Sequence, residues 1–424
     1  MAERSLAERD QAVIWHPYTQ MQNAAAPIPI VRGEGVHLIA EDGTKYIDAV
    51  SSWWVNIHGH AHPYIAEMVA EQLRTLEHVI FAGFTHPTAV ELAERLLAIL
   101  PANQRRVFYS DNGSTAVEVA LKMCFQYWSN SGHARTKVVA FQDSYHGDTF
   151  GAMAVSARSA FTRPFEQLLF GVEFIDLPNA ENISRLKKEI SALSSELSAF
   201  IFEPLVQGAG GMNMYEAKYL DELLAHCKKV GILTIADEVM TGFGRTGKLF
   251  ASHHLSEQPD LMCFSKGITG GTMALGVTTC DSKIYAAFLS DDKLKTLFHG
   301  HSFTANPVTC SAALASLDLL LKMETQTDIS RVEDSHRAFA ARIKQHPKLR
   351  AVRQTGTILA MEWETGDNTS YFNTLRDDLY NFFLREGIIL RPLGNIIYIM
   401  APYCITNDQL EYIYQKIEQA LEQF

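Results

Sequence analysis

With 424 residues, 47% hydrophobic and 20% charged, the chain is long enough for two or three domains, or one large and one small, and too apolar to be disordered. A net charge of −11 without any Lys/Arg run excludes a nucleic-acid groove, which needs a basic footprint. No stretch nears the roughly 18 uncharged apolar residues of a membrane-spanning helix, and the six cysteines at 124, 227, 263, 280, 310 and 404 contain no C-x-x-C pair, which argues against a disulfide framework or a cysteine zinc site and for a reduced cytoplasmic setting.

The N-terminus MAERSLAERDQAV is charged and lacks the apolar core of a signal peptide. WHPYTQ (15–20) then brings Trp15 and Tyr18, and GVHLIAEDGTKYID (35–48) reads as short strands around a turn at Asp42-Gly43. In SSWWVNIHG, Trp53 and Trp54 are adjacent. On an extended segment they point opposite ways, so one can be core while the other needs a pocket or an interface. His58, His60 and His62 alternate in NIHGHAHPY (56–64), but no carboxylate or cysteine stands at ligand spacing and Gly59 and Pro63 indicate a loop, so a metal site is not expected.

The middle of the chain alternates strands and helices. RVFYSDNG leads into the helical STAVEVALKMCFQYW, and TKVVAFQDSYHGD is a similar unit. AFIFEPL (199–205) and GILTIADEV (231–239) are short apolar strands flanking the helical AKYLDELLAHCKKVG (217–231). Strand, helix, strand predicts parallel neighbours in a sheet covered on both faces, with ligands beyond the strands' carboxyl ends. From about 315 the texture changes: ASLDLLLKMETQ and ISRVEDSHRAFAARIKQH are helical, while VRQTGTILAMEWE and NIIYIMAPYC look like alternating strands. The predicted organisation is therefore α/β: an N-terminal segment (1–60) belonging to a small α+β domain, a large domain (61–314) with a mostly parallel sheet, and a C-terminal small-domain part (315–424).

The unusual residues fall at the predicted strand ends. Gly113 and Ser114 open a helix straight after a strand, a setting whose free N–H groups and dipole suit a phosphate, although an Asx-Gly turn with a serine cap reads the same way. In SYHGDT (144–149), Tyr145 can stack on a planar ring, with His146 and Asp148 as supporting residues. Asp237 ends a buried strand and needs a partner, though a cap or salt bridge would also supply one. TGFGRTGK (241–248) is glycine-rich without being a phosphate loop of the G-x-x-x-x-G-K-[ST] type. HGHSFTANP (299–307) holds hydroxyls better suited to phosphate than to metal, and Arg391 follows an apolar run in IILRPLG, where it is either a surface arginine or a fork for a carboxylate.

Of seventeen lysines, Lys266 alone follows an apolar strand and is set among glycines, in MCFSKGITGG (262–271). Desolvation lowers a lysine's pKa and exposes a neutral amine for carbonyl chemistry. A phosphate cradle, a stacking ring and a strand-end carboxylate around such a lysine describe pyridoxal 5'-phosphate: its aldehyde at Lys266, its ring nitrogen at Asp237, its ring face at Tyr145 and its phosphate at Gly113-Ser114. Each signal is weak alone, but all four fit one molecule.

LTIADEVMTGFGRTGKLFA and PDLMCFSKGITGG resemble the signature of the class III aminotransferases, pyridoxal-phosphate enzymes of fold type I. Within that class, WHPYTQM, VSSWWVNIHGHAHP, DSYHGDTFGAM, EPLVQGAGGMNMY, GITGGTMAL and ILRPLGNIIYIMAPY are similar to members acting on S-adenosylmethionine and 8-amino-7-oxononanoate, with matches from about 14 to 405. The resemblance implies Lys266 and Asp237 as catalytic residues, with Gly113, Ser114, Tyr145, His301 and Ser302 also holding cofactor. His301 and Ser302 would act across a homodimer interface. It implies Tyr18, Trp53, Tyr145, Lys266, Gly300 and Arg391 around the substrate, no metal, and ping-pong kinetics. His301 replaces a proline found in some members and Ser302 a more usual threonine, which leaves the role of the His301 amide open. An ω-aminotransferase for another amine, an aminomutase, a non-catalytic binding protein, and lysine as amino donor remain as alternatives; WHPY paired with SSWW speaks against the first.

Overall fold

The structure, a computed structural model, describes residues 4–366 and 373–424. At its centre is a seven-stranded sheet: β1 (Gln104–Ser110), β2 (Lys137–Phe141), β3 (Val172–Ile175), β4 (Leu197–Phe202), β5 (Leu233–Asp237), β6 (Leu261–Phe264) and β7 (Gly276–Asp281), in the spatial order β1-β7-β6-β5-β4-β2-β3. β6, β5, β4, β2 and β3 are mutually parallel, and β7 runs antiparallel to both β6 and β1. Every residue of β4, β5 and β6 is buried, as expected of parallel strands covered on both faces.

Helix Ala217–Val230 connects β4 to β5, and helix Gly113–Asn130 follows β1. The latter starts where Asn112 caps it: the Asn112 side chain accepts from Thr115 N–H at 2.9 Å and the Thr115 hydroxyl accepts from Asn112 N–H at 3.0 Å. Ser114 is therefore the second residue inside the helix rather than its cap, and its hydroxyl accepts instead from Asp148 N–H at 3.1 Å.

A second core collects both ends of the chain. Strands Ile30–Glu34, His37–Ala40 and Lys45–Asp48 form an antiparallel meander, to which Ile388–Ile389 adds in parallel beside Ile47 and Asp48. Strands Leu349–Thr355, Ile358–Trp363 and Ile396–Ile399 make a three-stranded antiparallel sheet. The last two of these are buried throughout rather than alternating, because Leu205, Met212 and Trp54 pack into the same cluster as helices Met323–Ile343 and Asn407–Gln423. The helical pattern ASLDLLLKMETQ is interrupted: helix Pro307–Leu320 ends, Lys322 is extended at ψ 143°, and helix Met323–Ile343 begins. The first helix is buried on almost every side and the second is amphipathic, so the chain turns as burial requirements change.

All six cysteines are unpaired thiols, five of them buried. Among the described residues no helix is long and apolar enough to cross a membrane.

Candidate active site

The carboxyl ends of the parallel strands open on one cavity of about 690 Å³, lined by Gly113 and Ser114 after β1, Tyr145 and His146 after β2, Glu203 after β4, Asp237 at the end of β5, and Lys266 after β6. Each functional side chain thus stands where a ladder has just stopped and the backbone is free to turn. Lys266 turns sharply, at φ 47°, a left-handed conformation that costs an ordinary residue roughly 1–2 kcal/mol. Its Nζ lies 4.8 Å from the centre of the Trp54 ring.

Burial pulls the Lys266 pKa down, Asp237 and Glu203 pull it partly back, and Arg245 adds to the lowering; the net effect favours a neutral amine. Asp237 Oδ2 accepts from His146 Nδ1 at 2.7 Å and its Oδ1 accepts from Val239 N–H at 3.1 Å. His146 Nε2 is buried without a partner. Glu203 accepts from Tyr145 N–H at 3.0 Å and Gly208 N–H at 2.9 Å. Burial, with the nearby Asp237 charge, nevertheless raises its pKa to about 7, against the opposing pull of His146 and those two amides.

These residues fit pyridoxal 5'-phosphate. The N–H groups of Gly113 and Ser114 are the first two of an 18-residue helix and have no carbonyl within it to bond, so an anion can take them. A Cβ on Gly113 would lie 2.7 Å from Val239 Cγ1, so glycine keeps this wall thin. Gly271, at φ 83°, lets the loop after Lys266 pass close to Asn56, where a Cβ would meet backbone at 2.9 Å. A carboxylate offers about four lone-pair positions; Asp237 has committed two, leaving capacity for a ring N–H.

The rim is assembled from distant segments. The Tyr18 ring meets Trp53 edge-on at 5.6 Å, its hydroxyl donates to Asp148 Oδ2 at 2.5 Å, and it lies 3.5 Å from the Tyr145 hydroxyl. The Arg391 guanidinium sits 4.4 Å over the Trp53 ring. Burial, then Tyr18 and Asp148, raise the Tyr145 phenol pKa. The tandem tryptophans correct the sequence expectation. Ser51, Ser52, Trp53 and Trp54 are not extended but have φ of 51°, 47°, 80° and 75°, a left-handed turn of four non-glycine residues. It still separates the indoles, with Trp54 4% exposed and Trp53 38%.

Tyr18, Trp53 and Arg391 do not line this cavity directly but reach it through the Tyr18 contacts with Tyr145 and Asp148, whereas, among the described residues, Gly300, His301 and Ser302 neither line it nor make such a contact. Their loop instead neighbours Lys122, whose Nζ donates to Phe298 O at 3.0 Å. The glycine-rich TGFGRTGK loop is structural: the buried Arg245 guanidinium reaches the carbonyls of Ala401 at 2.9 Å, Asn56 at 3.3 Å and Trp54 at 3.4 Å, joining the two cores. Sequence reasoning missed Glu203 and Trp54. Glu203 carried the signal used for Asp237, a carboxylate ending an apolar strand, one strand away.

The family model of the class III aminotransferases matches residues 18–421. The adenosylmethionine-8-amino-7-oxononanoate aminotransferase of Synechococcus elongatus is 46% identical over 422 residues, 97% of this chain and 98% of its own. The crystal structure of the enzyme of that name from Methanocaldococcus jannaschii superposes with a TM-score of 0.95 at 34% identity, covering 99% of this chain and 98% of its own. An amine transaminase from an uncultivated Pseudomonas species, solved in the PLP-bound form, superposes with a TM-score of 0.90 at 30% identity, over 97% of this chain and 98% of its own.

Proposed function

The chain belongs to the class III aminotransferases, and from that premise we propose that it uses pyridoxal 5'-phosphate to move the amino group of S-adenosyl-L-methionine to 8-amino-7-oxononanoate, giving 7,8-diaminononanoate for biotin synthesis. The observation that carries this is the grouping of Lys266, Asp237, Glu203 and the helix-opening Gly113 and Ser114 around one cavity. The 46% identity over almost the whole length to a relative named for these two substrates supports the choice of donor and acceptor.

Gly113 and Ser114 would hold the cofactor phosphate, Asp237 the ring nitrogen, Tyr145 the ring face, and Lys266 the carbonyl carbon. When bound, the cofactor supplies an electron sink for the pair left when the substrate carbon beside nitrogen loses its proton. Lys266 Nζ would take that proton from the donor carbon and deliver it to the cofactor's carbonyl carbon within the same half-reaction, and would run the relay in reverse for the acceptor. His146 keeps Asp237 oriented through their 2.7 Å contact, and the Asp237 carboxylate would accept from the cofactor's ring N–H. Donor and acceptor use the cavity in turn, so the kinetics are ping-pong. Trp53 and Tyr18 give the sulfonium of the donor a cation–π wall and the acyl chain of the acceptor an apolar one; Arg391 gives either carboxylate a two-pronged donor.

Two copies form a cytoplasmic homodimer in which Gly300, His301 and Ser302 of one chain serve the site of the other. Exposed Phe298 and Phe303, which flank that loop in the chain, support a buried face there. Residues 61–314 make the large domain, and 1–60 with 315–424 the small one. The test is a donor screen on the purified protein with 8-amino-7-oxononanoate as acceptor, read by mass spectrometry of the product. S-adenosylmethionine should support formation of the diamine; turnover with lysine alone would reassign the donor, and turnover only with unrelated ω-amines would remove the acceptor as well.

A further inference from the structure

The left-handed turn Ser51–Trp54 is the most strained segment at the site, and such backbone persists only where its surroundings over-determine it. Two bonds tie its ends: Ser51 Oγ donates to Met400 O at 2.7 Å, and Trp54 Nε1 donates to the Tyr398 hydroxyl at 3.0 Å. The Arg245 guanidinium reaches the Trp54 carbonyl, and a further set of bonds converges on one carboxylate. Asp48, with no exposed surface, accepts from Val50 N–H through Oδ1 at 3.2 Å and from the Ser52 hydroxyl through Oδ2 at 2.8 Å. The same Oδ2 meets His60 Nε2 at 2.9 Å.

The direction of this hydrogen-bond chain follows from donor and acceptor inventory. Gly59 N–H donates to Asn56 Oδ1 at 2.7 Å, so the Asn56 amide nitrogen is the atom facing His60 Nδ1 at 3.2 Å. His60 Nδ1 must then accept, which leaves the imidazole proton on Nε2, donated to Asp48. Asp48 is thus a carboxylate with three donors aimed at it: the Ser52 hydroxyl from the turn itself, Val50 N–H from the residue before it, and His60.

We infer that Asp48 is a positioning residue for the transamination: it holds Ser51–Trp54 left-handed, and thereby sets Trp53 against the substrate and Trp54 against Lys266. This rests on the reading above that Trp53 walls the substrate site. Trp53 meets Tyr18 and Arg391 on the rim, and Trp54 stands beside the Lys266 amine; one buried carboxylate therefore governs both levels of the cavity without touching either substrate or cofactor.

The test reads substrate KM values and, without substrate, the near-ultraviolet circular dichroism of the tryptophans. Asp48→Asn keeps the shape but sets an amide N–H against either the Nε2 proton of His60 or Val50 N–H, donor against donor in both orientations. KM for both substrates should rise about tenfold and the tryptophan dichroism should weaken. Adding Asn56→Asp reverses the chain: the new carboxylate at 56 accepts from both Gly59 N–H and His60 Nδ1, freeing Nε2 to accept from the new amide at 48. That double variant should return to within about threefold of wild-type KM, with its dichroism restored. If Asp48→Asn does not fold, Ser52→Ala, at an exposed residue, removes one bond of the same carboxylate and should raise KM about threefold. Wild-type KM and dichroism in the foldable single variant, or a double variant no better than Asp48→Asn, would overturn the role. Since the dichroism is recorded without substrate, a mistaken substrate assignment would leave its change in place.

Discussion

Asp237, Glu203 and Lys266 stand at or just past the ends of three adjacent, wholly buried strands, whereas Tyr18, Trp53 and Arg391 come from an N-terminal loop, a left-handed turn and the stretch after a two-residue strand. The first three inherit their positions from a hydrogen-bonded ladder and are held out of bulk water. The second three are held by contacts with one another and by a strained backbone, at the solvent edge. Groups that must exchange a proton need a fixed, dry setting, while groups that receive two unlike substrates in turn can be met by aromatic faces and a forked cation. Floor substitutions should therefore act on kcat, and rim substitutions on KM.

Lys266→Ala is the most severe way to break the floor. It removes the group that carries the proton, so turnover should fall by at least about 10⁴-fold while cofactor is still retained through Gly113, Ser114 and Asp237; equilibrium dialysis and steady-state rates check both halves. Asp237→Asn keeps the shape and loses the charge, and kcat should drop by about 10²–10³-fold with little change in KM. On the rim, Arg391→Ala should leave kcat and the cofactor absorbance nearly intact and raise KM for the keto acid about 30-fold, the equivalent of about 2 kcal/mol. Arg391→Lys keeps the charge without the fork and should recover only part of this. Wild-type KM for both substrates in the alanine variant would remove Arg391 from the site.

Glu203 sharpens the contrast through pH. Its pKa is raised from 4.5 to about 7 by burial, so the folded protein holds a proton there that the unfolded chain gives up. The stabilisation is complete below about 4.5 and is lost as pH rises through 7, at no more than about 1.4 kcal/mol per pH unit. Between pH 4.5 and 7 the melting temperature of the cofactor-free protein should fall more steeply for wild type than for Glu203→Gln. Parallel curves would show that the carboxyl is already ionised in the fold. The smallest expected change is Tyr18→Phe, which deletes the donor to Asp148; loss of about 1 kcal/mol should raise KM roughly fivefold at unchanged kcat.

The same division governs what the sequence discloses. Lys266, Asp237, Gly113, Ser114 and Tyr145 each follow a short apolar run, so strand periodicity and the rule that ligands gather at carboxyl ends bring them together on paper as they do in the cavity. Glu203 has the same setting in AFIFEPL, directly after an apolar strand. The Ser51–Trp54 turn was not legible: no glycine announces its left-handed backbone, and the bonds that hold it arrive from Asp48, Tyr398 and Met400. His60 looked like part of a metal-style repeat, yet its partner is a carboxylate twelve residues earlier, beyond local spacing. The loop at 300–302 is expected at the site only through the resemblance, from which His301 and Ser302 depart, and it does not line the cavity of this chain.

The account stands on the covalent role of Lys266, and one measurement reads it directly. The purified protein is loaded with pyridoxal 5'-phosphate, reduced with borohydride, digested, and its peptides are mapped by mass spectrometry. The phosphopyridoxyl mass should appear on the peptide containing Lys266 and on no other. Stoichiometric label on a different lysine, or a loaded protein that reduction leaves unlabelled, would contradict it.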